Sequence, residues 1–123
     1  MKTVNVKIAD LTGAALDWAV AVAVGAESIE IDKHGLTADL GSIKHCEDWS
    51  PSTDWSQGGP LIEQFGVDIE KDHDWSAFCF VYAYDTTIER AATMGGPAPL
   101  IAVCRAIVAA KLGETVDVPE VLL

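Results

Sequence analysis

The sequence predicts an α+β fold: one two-layer domain over residues 1–123, with a mostly antiparallel sheet and two main helices on one face. Two apolar segments, at about 13–24 and 99–112, repeat with helical spacing. Short segments at 2–8, 28–32, 67–70 and 75–84 read as strands. The resulting order of strand, helix, several strands and helix suits α+β layering. At 123 residues the chain is long enough for one core and short for two.

Each element has a local reason. Residues 2–8 alternate polar and apolar side chains. Asp10 or Thr12 is placed to cap the helix that follows by accepting from a free amide of its first turn. In that helix Leu16, Val20 and Val24 recur at i, i+4 and i+8, flanked by Ala15, Ala19 and Ala23, and Gly25 suits its end. Asp17 enters only as a break in the apolar run 14–24. Residues 28–32 alternate as a strand, while 33–48 are ambiguous, with Gly35 and Gly41 as breakers. Residues 50–60 read as a long polar loop, with Pro60 opening a single helical turn over 61–65. Residues 67–70 and 75–84 read as an antiparallel pair turning at Lys71-Asp72-His73-Asp74. Gly95-Gly96-Pro97 reads as a loop. Pro99 then begins the second helix, with Leu100, Ile101, Cys104, Ile107, Val108 and Leu112 as its stripe and Gly113 past its end. In the tail, Pro119 limits any strand to a sheet edge.

The net charge is −11 and is unevenly placed. Residues 27–89 hold 14 acidic side chains against three basic ones, a net of −11, and the two ends cancel. Such a chain is unsuited to direct nucleic-acid binding, since phosphate is held mainly by Lys and Arg. Anionic membranes are disfavoured for the same reason. No apolar run is long enough to span a bilayer, and the first residues do not form a signal peptide. Three cysteines without a C-x-x-C pair, two of them within apolar runs, read as free thiols in a reducing cytoplasm.

Residues 49–60 carry the residue types of a binding pocket. Trp49 and Trp55 offer flat stacking surfaces around Ser52, Thr53, Asp54, Ser56 and Gln57. Gly58 and Gly59 permit close main-chain approach by a ligand. The mixture suits a polar, planar molecule such as a nucleotide. The plainer alternative is an ordered loop whose tryptophans fill the core and whose polar groups bond their own backbone. Arg105 stands in an otherwise apolar helical segment. It reads either as a solvent-facing charge beside the stripe or as an arginine reaching the 52–59 loop, to pair with Asp54 or hold a ligand anion.

The segments Leu11-Thr12-Gly13-Ala14-Ala15-Leu16-Asp17-Trp18-Ala19-Val20-Ala21, Ser52-Thr53-Asp54-Trp55-Ser56-Gln57-Gly58-Gly59-Pro60 and Pro99-Leu100-Ile101-Ala102, with Lys111-Leu112-Gly113 and the Val116-Asp117-Val118-Pro119 tail, are similar to the NinX-like family of small bacteriophage proteins. The resemblance runs from end to end, is most specific in the loop motif and weakest over 66–95. It implies a protein of the infected bacterium's cytoplasm, and it brings no reaction, cofactor or catalytic residue.

Other constellations argue less. Asp68, Glu70, Asp72 and Asp74 alternate, but an EF-hand counted from Asp68 needs glycine and glutamate where His73 and Cys79 stand. A charged strand edge and turn is the simpler reading, with a weak divalent-cation site as the alternative. His34, His45 and His73 are scattered and read as surface residues, and no metal or cofactor motif occurs. No general base is identifiable, so no catalytic residue is assigned and a hydrolase of phosphorylated small molecules has only the loop in its favour. The leading expectation is a small-molecule or nucleotide-binding protein using residues 49–60 and Arg105. The alternative is an acidic interaction protein that binds or inhibits a host defence or nucleic-acid-processing protein. A homodimer through an apolar sheet face is a further expectation.

Overall fold

A computed structural model describes residues 2–33, 35–41, 45–82 and 88–123, with the side chains of residues 45, 46, 82, 88 and 89 outside the description. The fold is α+β. Among the described residues its strands do not join one sheet. They form three small antiparallel sheets: β1 (Thr3–Lys7) with β8 (Thr115–Pro119), β2 (Ser28–Asp32) with β3 (Gly35–Asp39) and the short β4 (His45–Cys46), and β5 (Asp68–Lys71) with β6 (Trp75–Tyr82) and β7 (Ile88–Gly96). Three α-helices accompany them: α1 (Gly13–Ala23), α2 (Trp55–Gln64) and α3 (Pro99–Leu112).

Helix α3 organises the core. It packs on β6 and β7 and also against α1 and α2. Ala102, Val103, Cys104, Ala106, Ile107 and Val108 are all fully buried, so it is apolar nearly all round, as a helix enclosed by neighbours must be. Its limits are those its sequence signals: Pro99 fills the first position and Gly113, at φ 100°, ends it. Helix α1 buries Ala15, Leu16, Ala19 and Val20, and these small side chains permit close packing on α3.

Its start differs from expectation, because Thr12 rather than Asp10 is the extended N-cap and it makes no side-chain capping bond. Instead Gly13 turns the chain at φ 57°, a conformation that favours glycine.

The β5–β6 hairpin turns where the sequence places it, through Asp72–Asp74. Residues 88–96, read partly as loop, form the strand β7 along β6. The tail pairs with β1, in register from Thr3↔Pro119 to Lys7↔Thr115, and is an edge strand as Pro119 requires. The expectations for His34 and for residues 83–84 of the last hairpin strand lie outside the described residues, as do those for the His45 and Cys46 side chains.

Candidate functional site

Residues 50–60 are not a long loop. A short turn at 50–53 leads into α2, which begins at Trp55, five residues before Pro60. Asp54 is the N-cap: its Oδ1 accepts from the Ser56 amide at 2.9 Å and from the Ser56 hydroxyl at 2.6 Å. These bonds hold the Asp54 carboxyl below its usual range. Two glycines and an interior proline make α2 a poor helix by propensity. The cap and the packing of Leu61, Ile62 and Phe65 on the core override that.

Gly58 has a packing reason. A β-carbon there would meet the Pro51 carbonyl oxygen and lie 2.9 Å from Leu100 Cδ2 of α3. The missing side chain lets α2, the turn and α3 come together, and no open space is left for a ligand against that α-carbon. Gly59 meets only the Trp55 ring, at ordinary contact distance.

The two tryptophans separate. Trp49 is 4% exposed, and its Nε1 donates to the Asp17 carbonyl at 2.9 Å. Its amide donates to Leu36 of β3, so it pins the segment to both α1 and β3. Trp55 is 56% exposed on the first turn of α2. Gln57 closes the turn from within: Oε1 accepts from the Ser50 amide at 2.6 Å and Nε2 donates to the Asp48 carbonyl at 3.0 Å. The amides of Thr53 and Asp54 donate to the Ser50 carbonyl, and the Thr53 hydroxyl lies 3.4 Å from the same oxygen. Asp48 sits at φ 52° to make the corner.

One residue at this site had not been singled out. Asp17 is 4% exposed within α1, and its Oδ1 accepts from the Ser52 amide at 2.8 Å. Burial raises its pKa, and the polar groups of Ser52 oppose that rise. The Ser52 hydroxyl is itself buried and completes no hydrogen bond. A carboxylate inside an apolar helical run was the available signal, since it must find a donor or lose its charge.

Arg105 neither faces solvent nor reaches the turn. It is 9% exposed; its Nε donates to the Leu11 carbonyl at 3.0 Å and its Nη1 to the Gly95 carbonyl at 2.9 Å. It therefore ties α3 to the start of α1 and to β7, with no contact to Asp54. Trp49 and Ser52 meet at Asp17, Asp54 bonds Ser56, Gln57 and Thr53 bond the turn's backbone, Trp55 stays exposed, and Arg105 serves elsewhere. Cys79 and Cys104 are buried free thiols whose pKa values burial raises, which leaves them poor nucleophiles. Among the described residues no three His, Cys, Asp or Glu side chains converge to hold a metal ion.

A second feature lies on the β2–β3 side. Glu30, Asp32, Glu47 and Asp48 line an open groove of about 490 Å³ with Thr37. Glu30, Glu47 and Asp48 have no cation partner among the described residues.

The α+β architecture and an internally bonded polar turn define a small helix-centred domain without a catalytic constellation among its described residues. The family model described as Bacteriophage P22, NinX matches residues 7–111, and the chain belongs to that family. No curated protein matches the sequence. The protein is thus a phage accessory protein, and no helix among its described residues is long and apolar enough to cross a membrane.

Proposed function

We propose that this phage protein works as an acidic interaction protein, docking on a basic surface of a host protein that handles nucleic acid or defends against phage. The supporting observation is the groove between β2, β3 and residues 47–48. Its four carboxylate residues are exposed, and three of them meet no cation among the described residues. They do not converge as a metal site. Spaced carboxylates suit separate Lys and Arg side chains of a protein surface better than a single ion.

The test compares the native chain with Glu30→Lys/Glu47→Lys as bait for host lysate, at low and at moderate salt. The expected result is a partner retained at low salt, released by salt, lost with the double variant and displaced by double-stranded DNA. Equal capture by the native and charge-reversed chains would overturn the reading.

The nucleotide reading keeps one support, the exposed indole of Trp55 beside the hydroxyls of Thr53 and Ser56. Against it, Trp49, Gln57 and Gly58 are already engaged within the protein. The adjoining cavity against Asp17 and Trp49 is about 210 Å³, below the usual range for ligand pockets, roughly 300–1,000 Å³. A thermal-shift screen of nucleotides decides it: a ligand at a hundredfold its Kd adds about 2.7 kcal/mol, and no shift with any nucleotide ends that reading.

A further inference from the structure

Strand β7 pairs with β6 alone among the described residues, which leaves its other edge unpaired. The direction of its main-chain groups follows from the hairpin. The Asp72 amide donates to the Asp74 carbonyl at 3.0 Å, which makes 72/74 a hydrogen-bonded position. Bonded and non-bonded pairs alternate along an antiparallel ladder. Glu70↔Ser76 and Asp68↔Phe78 are then the bonded pairs of β5 and β6. Trp75, Ala77 and Cys79 turn their main-chain groups to β7, where they meet Gly96, Met94 and Ala92. Ala91, Thr93 and Gly95 consequently point theirs away from the sheet. The Gly95 carbonyl gives an independent check, because it is the one held by Arg105 from outside the sheet. No such partner reaches Ala91 or Thr93 among the described residues.

These unpaired groups face a cavity of about 700 Å³. One wall is β7 over residues 90–94; the other is formed by residues 7–9 and 113–115, with Ala109 of α3 also lining the space. Ile8, Ala92, Met94 and Ala109 make it largely apolar. Lys7 and Arg90 stand on opposite walls, and Glu114 is the one carboxylate lining it. Arg90 is fixed by donating from Nη1 to the Lys111 carbonyl at 2.8 Å, and Lys7 has no anionic partner among the described residues. In a chain of net charge −11, this groove carries more positive than negative side chains.

We propose that the groove takes up an extended peptide segment of a partner protein, which adds as a strand to the free edge of β7 and places a carboxylate between Lys7 and Arg90. Main-chain bonds to Ala91 and Thr93 supply affinity, and the two cations select an acidic strand. Five residues of β7 span about 17 Å at the usual rise of a strand, enough to hold a short peptide. A second copy's β7 is a poorer occupant, because it carries the same two walls around its own edge. The groove is separate from the acidic face proposed above.

The test is an NMR titration of the full chain with a blocked hexapeptide, Thr-Val-Glu-Val-Thr-Val, and its Lys-for-Glu counterpart. The expected result is shifts centred on the amides of Ala91 and Thr93, with the Glu peptide bound more tightly than the Lys peptide. Thr93→Pro removes one outward N–H without touching the β6 ladder and is expected to weaken binding about five- to tenfold. Lys7→Glu is expected to reverse the preference between the peptides, and it keeps the proposal testable if the proline variant fails to fold. The proposal is overturned by unshifted Ala91 and Thr93 amides at saturating peptide, or by no preference between the peptides. It is also overturned if folded Thr93→Pro binds as the native chain does, if dodecanoate fills the groove where the peptide does not, or if self-association through β7 excludes it.

Discussion

The turn at 48–57 and the free edge of β7 differ in a way that composition conceals. The turn is rich in hydroxyls, carboxylates, an amide and indoles, yet much of that chemistry is directed inward. Asp54 caps α2, Gln57 closes the corner, Trp49 bonds Asp17 and the Ser52 amide bonds the Asp17 carboxylate. The β7 edge has the bland sequence Arg90-Ala91-Ala92-Thr93-Met94, yet it leaves main-chain groups unanswered beside a roomy groove. Chemistry-bearing side chains identify a site only when their bonds are unspent. At a strand edge, the backbone itself supplies the donors and acceptors.

Substitutions can break this contrast, beginning with the largest expected effect. Trp49→Ala is expected to cost about 3–5 kcal/mol in denaturant unfolding, the range for deleting a buried tryptophan. A small loss there would return Trp49 to the ligand reading. Arg105→Met leaves the Leu11 and Gly95 carbonyls without their donor and is expected to cost about 1–3 kcal/mol. Arg105→Lys should fail to restore both bonds, because an ammonium lacks the fork of a guanidinium.

Gly58→Ala would be favourable in an ordinary helix interior. Here the added methyl strikes the Pro51 carbonyl and Leu100, so a loss of about 1–3 kcal/mol is expected, read as a lower unfolding midpoint. Asp17 sharpens the contrast through pH. Its folded pKa is raised, so the folded chain keeps this proton to higher pH than the unfolded chain does. Its contribution to stability therefore falls as pH rises from the ordinary carboxylate pKa through the raised one, and is level above that. Asp17→Asn keeps an acceptor for Ser52 and should abolish that part of the slope in unfolding measured from acid to neutral pH. Trp55→Ala should change stability by no more than about 0.5 kcal/mol, as for an exposed side chain. A larger loss would show that the exposed indole is structural after all.

What was legible in the sequence was local. Pro99 and Gly113 bracket α3, alternation marks β2, and the charged turn at 71–74 joins β5 to β6, because each signal acts over a few residues. The helix start at Trp55 differs from the loop expected over 50–60. Gly58, Gly59 and Pro60 concealed it, and Gly58 is called for by the close approach of Pro51 and of Leu100 in α3. Strand β7, with its alanines and glycines, carries a weak strand signal of its own and is recruited by β6. Arg105 and Asp17 find partners 94 and 35 residues away, Leu11 and Ser52 respectively, which no local pattern reports. The residues of the turn were thus recognised as a group from the sequence, but their inward bonding was not.

The pairing of β1 with β8 has a consequence for synthesis. Joining Thr3–Lys7 to Thr115–Pro119 closes a loop of more than a hundred residues, at an entropic cost on the order of 4 kcal/mol for a flexible chain. Contacts this distant in sequence slow folding and form late. As the chain leaves the ribosome, the three-stranded sheet and α3 can assemble while β1 still waits for its partner. Strand β1 is made long before β8 and is secured only after it.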